Sequence, residues 1–481
     1  MKKSFKAAAQ VSVAAVIAMT SVAPVSAETL KEALAAAYMS NPQLDAQRAA
    51  LRATDETVRQ AKSAYMPRID ANFDQTFGQA QVYQVDDELG PFIIGDEDND
   101  GDGRNDPILG RGDYFDIPRG NQTLTVQQNV FRGFRTHNEI QQAKSNVFAG
   151  RAQLKDIEQQ VLLQAAQAYM DVYRDEATRE LNENNVRVLE RQLEASRDRF
   201  RVGEITRTDV AQSEARLEVA KAQLLQSEAA LEASRATFQQ VVGRTPAGTE
   251  TPDELSGLPA NLDDAVELAL TNDPGVQQAR ELERAASKGV DVAKGTLLPT
   301  VTVQGRLNRN EGTNAFGTLI FSNIQNARTV SVNVAVPIWQ GGQNHSEIRR
   351  QKQIRSQRML EIRNAENIAR AELLTAWNNY RAAQGQITSQ NAAVRANEIA
   401  LDGVRQEANV GSRTTLDVLD AEQELLQSRV NLVGARRDRV VAGYQLLSAL
   451  GQLTARDQGL GVELYDPEEN YDKNKNRFIG W

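Results

Sequence analysis

The chain has 481 residues, a formal net charge of −9 and no cysteine. Those values exclude a disulfide framework, cysteine-ligated metal centres and a lipidated cysteine anchor, and they argue against nucleic acid as a partner. Aromatic residues make up only 5% of the chain, too few for several thick globular cores, so the length points to long helices packed through thin seams.

The first element is a leader. Lys2, Lys3 and Lys6 precede an apolar, small-residue stretch from Ala7 to Val25. Val25-Ser26-Ala27 has the small-x-small form of a cleavage site, so residues 1–27 read as a signal peptide and the mature chain starts at Glu28, outside the cytoplasm. No later run approaches the ~20 apolar residues of a spanning helix.

The remainder is duplicated. Leu30-Lys31-Glu32-Ala33-Leu34 to Asn41-Pro42 matches Leu262-Asp263-Asp264-Ala265-Val266 to Asp273-Pro274, 232 residues on, and Tyr65-Met66-Pro67 matches Leu297-Leu298-Pro299 at the same offset. Further along the offset is 208: Phe131-Arg132-Gly133 faces Trp339-Gln340-Gly341, Gly203 faces Gly411, Asp209 faces Asp417, and Gly243 faces Gly451. Two offsets, each constant over a long stretch, define a first repeat (28–243), a linker (244–261), a second repeat (262–454) and a polar tail (455–481). Their difference places one 24-residue insertion between Pro67 and Gly133.

Each repeat opens with a helix of about 35 residues that ends at Pro67 or Pro299, because proline cannot continue a helix interior. Strands follow at about 68–78 and 121–131, separated by a loop over 79–120, and at about 299–309 and 329–338 in the second repeat. Val330, Val332, Val334, Val336 and Ile338 alternate with smaller or polar residues; so do Val301, Val303 and Leu307, Leu124, Val126 and Val130, and, more weakly, Ile69, Ala71, Phe73 and Phe77. Alternation makes one face apolar. The chain offers that face no apolar partner, and in an exported protein the other solution is a barrel whose apolar face meets lipid. Strands of roughly ten residues suit a tilted crossing. Four strands do not close a barrel, and an open edge in lipid leaves backbone groups unpaired, so the strand count itself predicts assembly. Three copies give twelve strands.

After the strands come long helices, at about 136–202 and 208–242 and again at about 344–410 and 415–450. The first is about 100 Å long at ~1.5 Å per residue. Ile140, Val147, Leu154, Val161 and Ala168 recur every seventh residue, with a second register at Ala165, Val172, Val186 and Leu193. Seven-residue spacing is coiled-coil packing, and a shifted register is a changed partner.

In the insertion, Asp98, Asp100, Asp102 and Asp106 are spaced as in calcium loops, with Gly101 and Gly103 allowing a tight bend. The closing glutamate of an EF-hand is absent, since Pro107 and Leu109 occupy its candidate positions. Calcium is the one cofactor these residues suggest. No phosphate-binding Gly-Lys-Ser/Thr loop, paired His-Glu metal motif or serine elbow is present, so nothing points to an enzyme.

The duplicated layout, the two strand entries at Pro67 and Pro299, the Leu450-Gly451 helix end and above all the run Val410-Gly411-Ser412-Arg413-Thr414-Thr415-Leu416-Asp417-Val418-Leu419-Asp420-Ala421-Glu422 resemble the TolC family of outer-membrane channels, over roughly Thr29 to Thr454. The resemblance implies an α+β membrane protein: a homotrimeric twelve-stranded β-barrel, four strands per chain, continued by a long periplasmic α-helical coiled-coil barrel. It implies a passive exit duct in outer-membrane lipid that docks onto a periplasmic adaptor protein and an inner-membrane ABC or proton-driven transporter. The tip motif leans toward type I protein secretion over drug efflux. The turns at Gly203 and Gly411 would form the tip; Asp417 and Asp420, three apart on one helix face, would become stacked carboxylate rings at the entrance. Arg413, four residues before Asp417, is placed by the family pattern against Asp209 as a latch, although Ala408 stands where the pattern has a tyrosine. The competing class is a periplasmic coiled-coil adaptor without a pore, which four lipid-type strands argue against.

Overall fold

The computed structural model describes residues 28–82, 113–116, 118–252, 257–316 and 319–477. The leader and the acidic loop with Asp98, Asp100, Asp102 and Asp106 lie outside the described residues.

The chain begins with α1 (Leu30–Ser40) and α2 (Pro42–Ser63). A capping box starts α1: the Glu32 N–H donates to the Thr29 hydroxyl at 3.3 Å and the Thr29 N–H to the Glu32 carboxylate at 3.0 Å. The expected single opening helix is therefore two. Proline disfavours a helical residue before it, so Asn41 is extended, and its side chain caps the next helix by accepting from the Gln43 N–H at 2.9 Å. The second repeat breaks in the same way, at Asp273-Pro274.

Four longer strands and two short ones follow in the order β1 (Arg68–Thr76), β2 (Gln79–Val82), β3 (Asp113–Asp116), β4 (Arg119–Arg132), β5 (Thr300–Phe316) and β6 (Leu319–Ala335). β2 and β3 pair with each other; the rest form one antiparallel sheet in the order β1-β4-β5-β6. Its register aligns the apolar positions: Ile69 lies opposite Val126, Leu124 opposite Leu307, and Val303 opposite Val332. That face is open, with Val332 64% and Val330 80% exposed. The other face is polar, and the Thr123 hydroxyl donates to Asn308 Oδ1 across it at 2.9 Å. β5 and β6 are each 17 residues, longer than expected, because pairing continues through the polar segment from Asn310 to Asn314, where no alternation marks a strand. β6 stops at Ala335, short of the expected Ile338, as Pro337 has no N–H to give to a ladder.

The helices are α3 (Arg135–Arg201), α4 (Arg207–Val242), α5 (Leu262–Asn272), α6 (Pro274–Gly295), α7 (Gln343–Asn409), α8 (Thr415–Ala449) and the short α9 (Glu469–Asn474). Among the described residues none is long and apolar enough to cross a membrane. Gly133 lets the first repeat enter α3: with φ +61, an added Cβ there would sit 2.3 Å from the Gly295 carbonyl oxygen at the end of α6.

Both heptad registers of α3 are largely buried, from Val147 and Leu154 to Val186 and Leu193. Two apolar cores are related by the duplication, the first using α3 and the second its repeat α7. The first gathers Ala33, Ala37, Ala165, Ala168, Phe238 and Val242; the second holds their counterparts Ala265, Ala269, Leu373, Ala376, Leu446 and Leu450. Tyr169 closes the first. Its hydroxyl donates to the Glu28 carbonyl at 2.6 Å and accepts from the Glu250 N–H at 2.9 Å. The counterpart of Tyr169 is Trp377, which is only partly buried.

The tail runs back along the first repeat. The Tyr465 N–H donates to the Tyr38 hydroxyl at 3.0 Å, Arg151 pairs with Glu468 at 2.6 Å, and Asn470 on α9 donates to the Asp55 carboxylate at 2.9 Å. Asp55 is 4% exposed and its second oxygen has no partner. Burial pushes its pKa up, with Asn470 and Arg151 acting the other way. The folded chain therefore holds this proton more tightly than the unfolded one. Its contribution to stability is present at low pH and is lost as pH rises from the ordinary carboxylate range through the raised folded value. Asp55→Asn cannot ionise. It is expected to raise Tm at about pH 7 and to show no gain at about pH 3.5; thermal unfolding at both values checks this, and an unchanged Tm at neutral pH would contradict it.

Candidate functional site at the helical tip

The α3–α4 and α7–α8 hairpins reverse through matched turns. Gly203 and Gly411 take φ +79 and +80, a left-handed conformation that costs glycine nothing. After each glycine the next N–H closes the turn, Glu204 onto the Arg199 carbonyl and Ser412 onto that of Glu407, both at 2.9 Å.

A capping box then starts each return helix. The carboxylate of Asp209 accepts from the Thr206 N–H at 2.8 Å and its hydroxyl at 2.7 Å; Asp417 accepts from Thr414 at the same distances. Those bonds, the hydroxyl first, hold both carboxyls below the usual carboxylate range, so both are ionised at neutral pH. Asp209 and Asp417 are thus helix caps in the first instance, each using its Oδ2 for the box.

Within the chain Arg413 does not take up Asp209. Its Nε donates to Glu407 at 2.8 Å, and Asp417 acts on it only through space. Asp420 is held elsewhere: Arg216 of α4 donates to its Oδ1 at 2.5 Å. Asp417 and Asp420 share a helix but have different partners. Beside them, Leu419 is buried against Val186, Leu189, Leu193 and Leu217, which seats α8 on the α3–α4 hairpin.

Sequence reasoning missed Arg216, Glu407 and a repeated pair, Arg197 with Glu214 at 3.6 Å and Arg405 with Glu422 at 2.7 Å. The 208-residue offset carries the first of these pairs onto the second and was the available signal. Arg216 with Asp420 has no such signal, as they are 204 residues apart and unmatched in the repeat. Away from the tip, a cavity of about 670 Å³ lies between α3, α6 and the tail, but Arg151, Arg280 and Arg284 in its wall are paired with Glu468, Glu366 and Glu281. Among the described residues no cluster of acidic or histidine side chains is arranged to hold a metal.

A one-sided apolar sheet fused to helical hairpins of this length defines a channel subunit of the bacterial outer membrane, not a catalyst. The chain belongs to the outer membrane efflux protein family, whose profile matches residues 33–244 and 265–452. It is 34% identical to the outer membrane efflux protein BepC of Brucella suis, over 94% of this chain and 92% of that one. It is 24% identical to the outer membrane protein TolC of Vibrio cholerae, over 71% of this chain and 81% of the relative. The fold matches the CmeC outer membrane channel of Campylobacter jejuni with a TM-score of 0.72 at 14% identity, covering 93% and 89% of the two chains. The protein is therefore a non-enzymatic outer-membrane channel with a long periplasmic helical extension, and the pore-less adaptor reading is set aside.

Proposed function

We propose that three copies join their sheets edge to edge into a twelve-stranded barrel and their helices into a periplasmic tube. The tube is the passive exit duct of a tripartite system, docked at its tip onto a periplasmic adaptor and an inner-membrane ABC or proton-driven transporter. One observation carries this reading most: β1 and β6 are the two edges of a single sheet whose apolar face nothing among the described residues covers. Unpaired edges are intolerable in lipid, so further copies must complete them. The uneven burial of the helices supports the same assembly. α3 buries 21 residues against its own chain, whereas its repeat α7 buries six and exposes Leu360 and Ile399.

At the tip, Asp417 and Asp420 would each recur three times around the axis as carboxylate rings that favour cations. The latch between Arg413 and Asp209 would form between neighbouring copies and compete with the Arg413–Glu407 pair. Both side chains of that pair are half exposed, so water screens it and it is readily exchanged. Arg413→Ser is expected to raise single-channel conductance in planar bilayers; an unchanged conductance would remove the latch. Calcium at Asp98, Asp100, Asp102 and Asp106 stays part of the proposal on residue spacing alone.

For cargo, the Brucella relative, an efflux protein, supports efflux, and the tip motif favours protein secretion as the second reading. Deleting the gene and measuring both toxic-compound susceptibility and the secreted proteins separates them. Sensitisation with unchanged secretion supports efflux, and loss of a secreted protein without sensitisation supports secretion.

A further inference from the structure

The tip is duplicated almost throughout. Gly203, Thr206, Asp209, Arg197 and Glu214 recur 208 residues later as Gly411, Thr414, Asp417, Arg405 and Glu422. Within each turn the pairs differ, Arg199 with Glu204 and Arg413 with Glu407, and one contact between the two hairpins also breaks the pattern. Arg216 maps onto Glu424, a reversal of charge, and its partner Asp420 maps onto Gln212. In the chain Arg216 and Asp420 meet at 2.5 Å, joining α4 to α8 at the rim of the apolar cluster that seats Leu419. Leu217 in that cluster follows Arg216, so the ionic contact and the buried one are set by adjacent residues on each helix.

We propose that Arg216 is the residue that sets the charge of the channel entrance: it neutralises Asp420 within each chain, so that the entrance presents Asp417 as its free carboxylate ring. This rests on the ring reading of Asp417 and Asp420 given above. The capping box leaves Asp417 ionised with one oxygen uncommitted. Asp420 is also exposed, but its charge is matched by a guanidinium in direct contact. The side chains of Arg216 and Asp420 are 40% and 57% exposed, so water screens the pair and a multivalent cation is able to compete for the carboxylate. Where the duplication places the equivalent seam, between neighbouring copies, Gln212 would stand toward Glu424 and supply no countercharge. A ring of three carboxylates is thus present in the sequence but masked by a residue the repeat did not duplicate.

The test is block of single-channel current by lanthanum ions added to the tip side of the purified full-length protein in planar bilayers, with the cation-to-anion permeability ratio measured alongside. Arg216→Gln unmasks three carboxylates; it is expected to lower the blocking concentration severalfold and raise the permeability ratio. Arg216→Lys, which keeps the charge, is expected to behave as the parent does. Asp420→Asn in the Arg216→Gln background is expected to abolish the gain. If Arg216→Gln lowers thermal stability but leaves block and selectivity unchanged while Asp417→Asn weakens block, Arg216 is only a structural clasp and the proposal is overturned. If neither Asp417→Asn nor the double variant weakens block, the ring reading itself fails, and this inference with it.

Discussion

Val332→Arg is expected to abolish assembly of the channel in the outer membrane, whereas Ser331→Arg, one residue away, is expected to leave it in place. Val332 lies on the apolar face, 64% exposed, paired with Val303 in the β5–β6 ladder. If that face meets lipid, an arginine there costs about 2–4 kcal/mol per chain near the bilayer midplane. In a threefold barrel the cost is incurred three times, comparable to the ~5–15 kcal/mol that stabilises an ordinary fold. Ser331 is on the opposite face, which would line a lumen where water solvates a guanidinium. Neighbouring residues of one strand point to opposite sides, so the contrast depends only on the pleat. Heat-modifiable mobility of outer-membrane fractions reads the result. Equal tolerance of the two substitutions would mean that the apolar face does not meet lipid.

Phe238→Ala should give the largest loss of stability among single substitutions in the helical region. Phe238 is fully buried where α4 meets α1 and α3, with its ring centroid 6.5 Å from that of Tyr169. Truncating a buried phenylalanine costs about 3–5 kcal/mol, through lost transfer energy and the cavity left behind. The repeat offers an internal control. Leu446 is the counterpart of Phe238 and equally buried, but its core holds fewer buried residues within one chain. Leu446→Ala is expected to cost about 2–5 kcal/mol and to fall below Phe238→Ala. Thermal unfolding of both variants in detergent checks the order. A reversed order would show that assembly completes the second core more fully than one chain indicates.

Much of this architecture was legible because two signals agreed. The heptads of α3 and the alternation in β4 to β6 are local patterns, and the duplication repeated each of them. The break between α1 and α2 was also written locally, in Asn41-Pro42 and Asp273-Pro274, as an N-cap followed by a first-turn proline; reading for periodicity passed over it. The polar half of the β5–β6 hairpin was not legible. Pairing there rests on continuation of backbone hydrogen bonds from an adjacent ladder, which leaves no mark in the sequence pattern around Asn310. At the tip, the sequence does not display which partners the charged residues take. Asp209 and Asp417 are caps for a reason the sequence displays, a threonine three residues earlier. That Arg413 turns to Glu407, and Asp420 to Arg216, depends on how the turns and hairpins pack, and no spacing rule reports it.

In the proposed assembly one copy supplies a third of a membrane cylinder. The most direct measurement is the mass of the purified mature protein in detergent, taken together with its behaviour after detergent is removed. A particle of three copies that inserts into planar bilayers and conducts, and that aggregates without detergent, is the expected result. A monodisperse, water-soluble single copy that never conducts would contradict it.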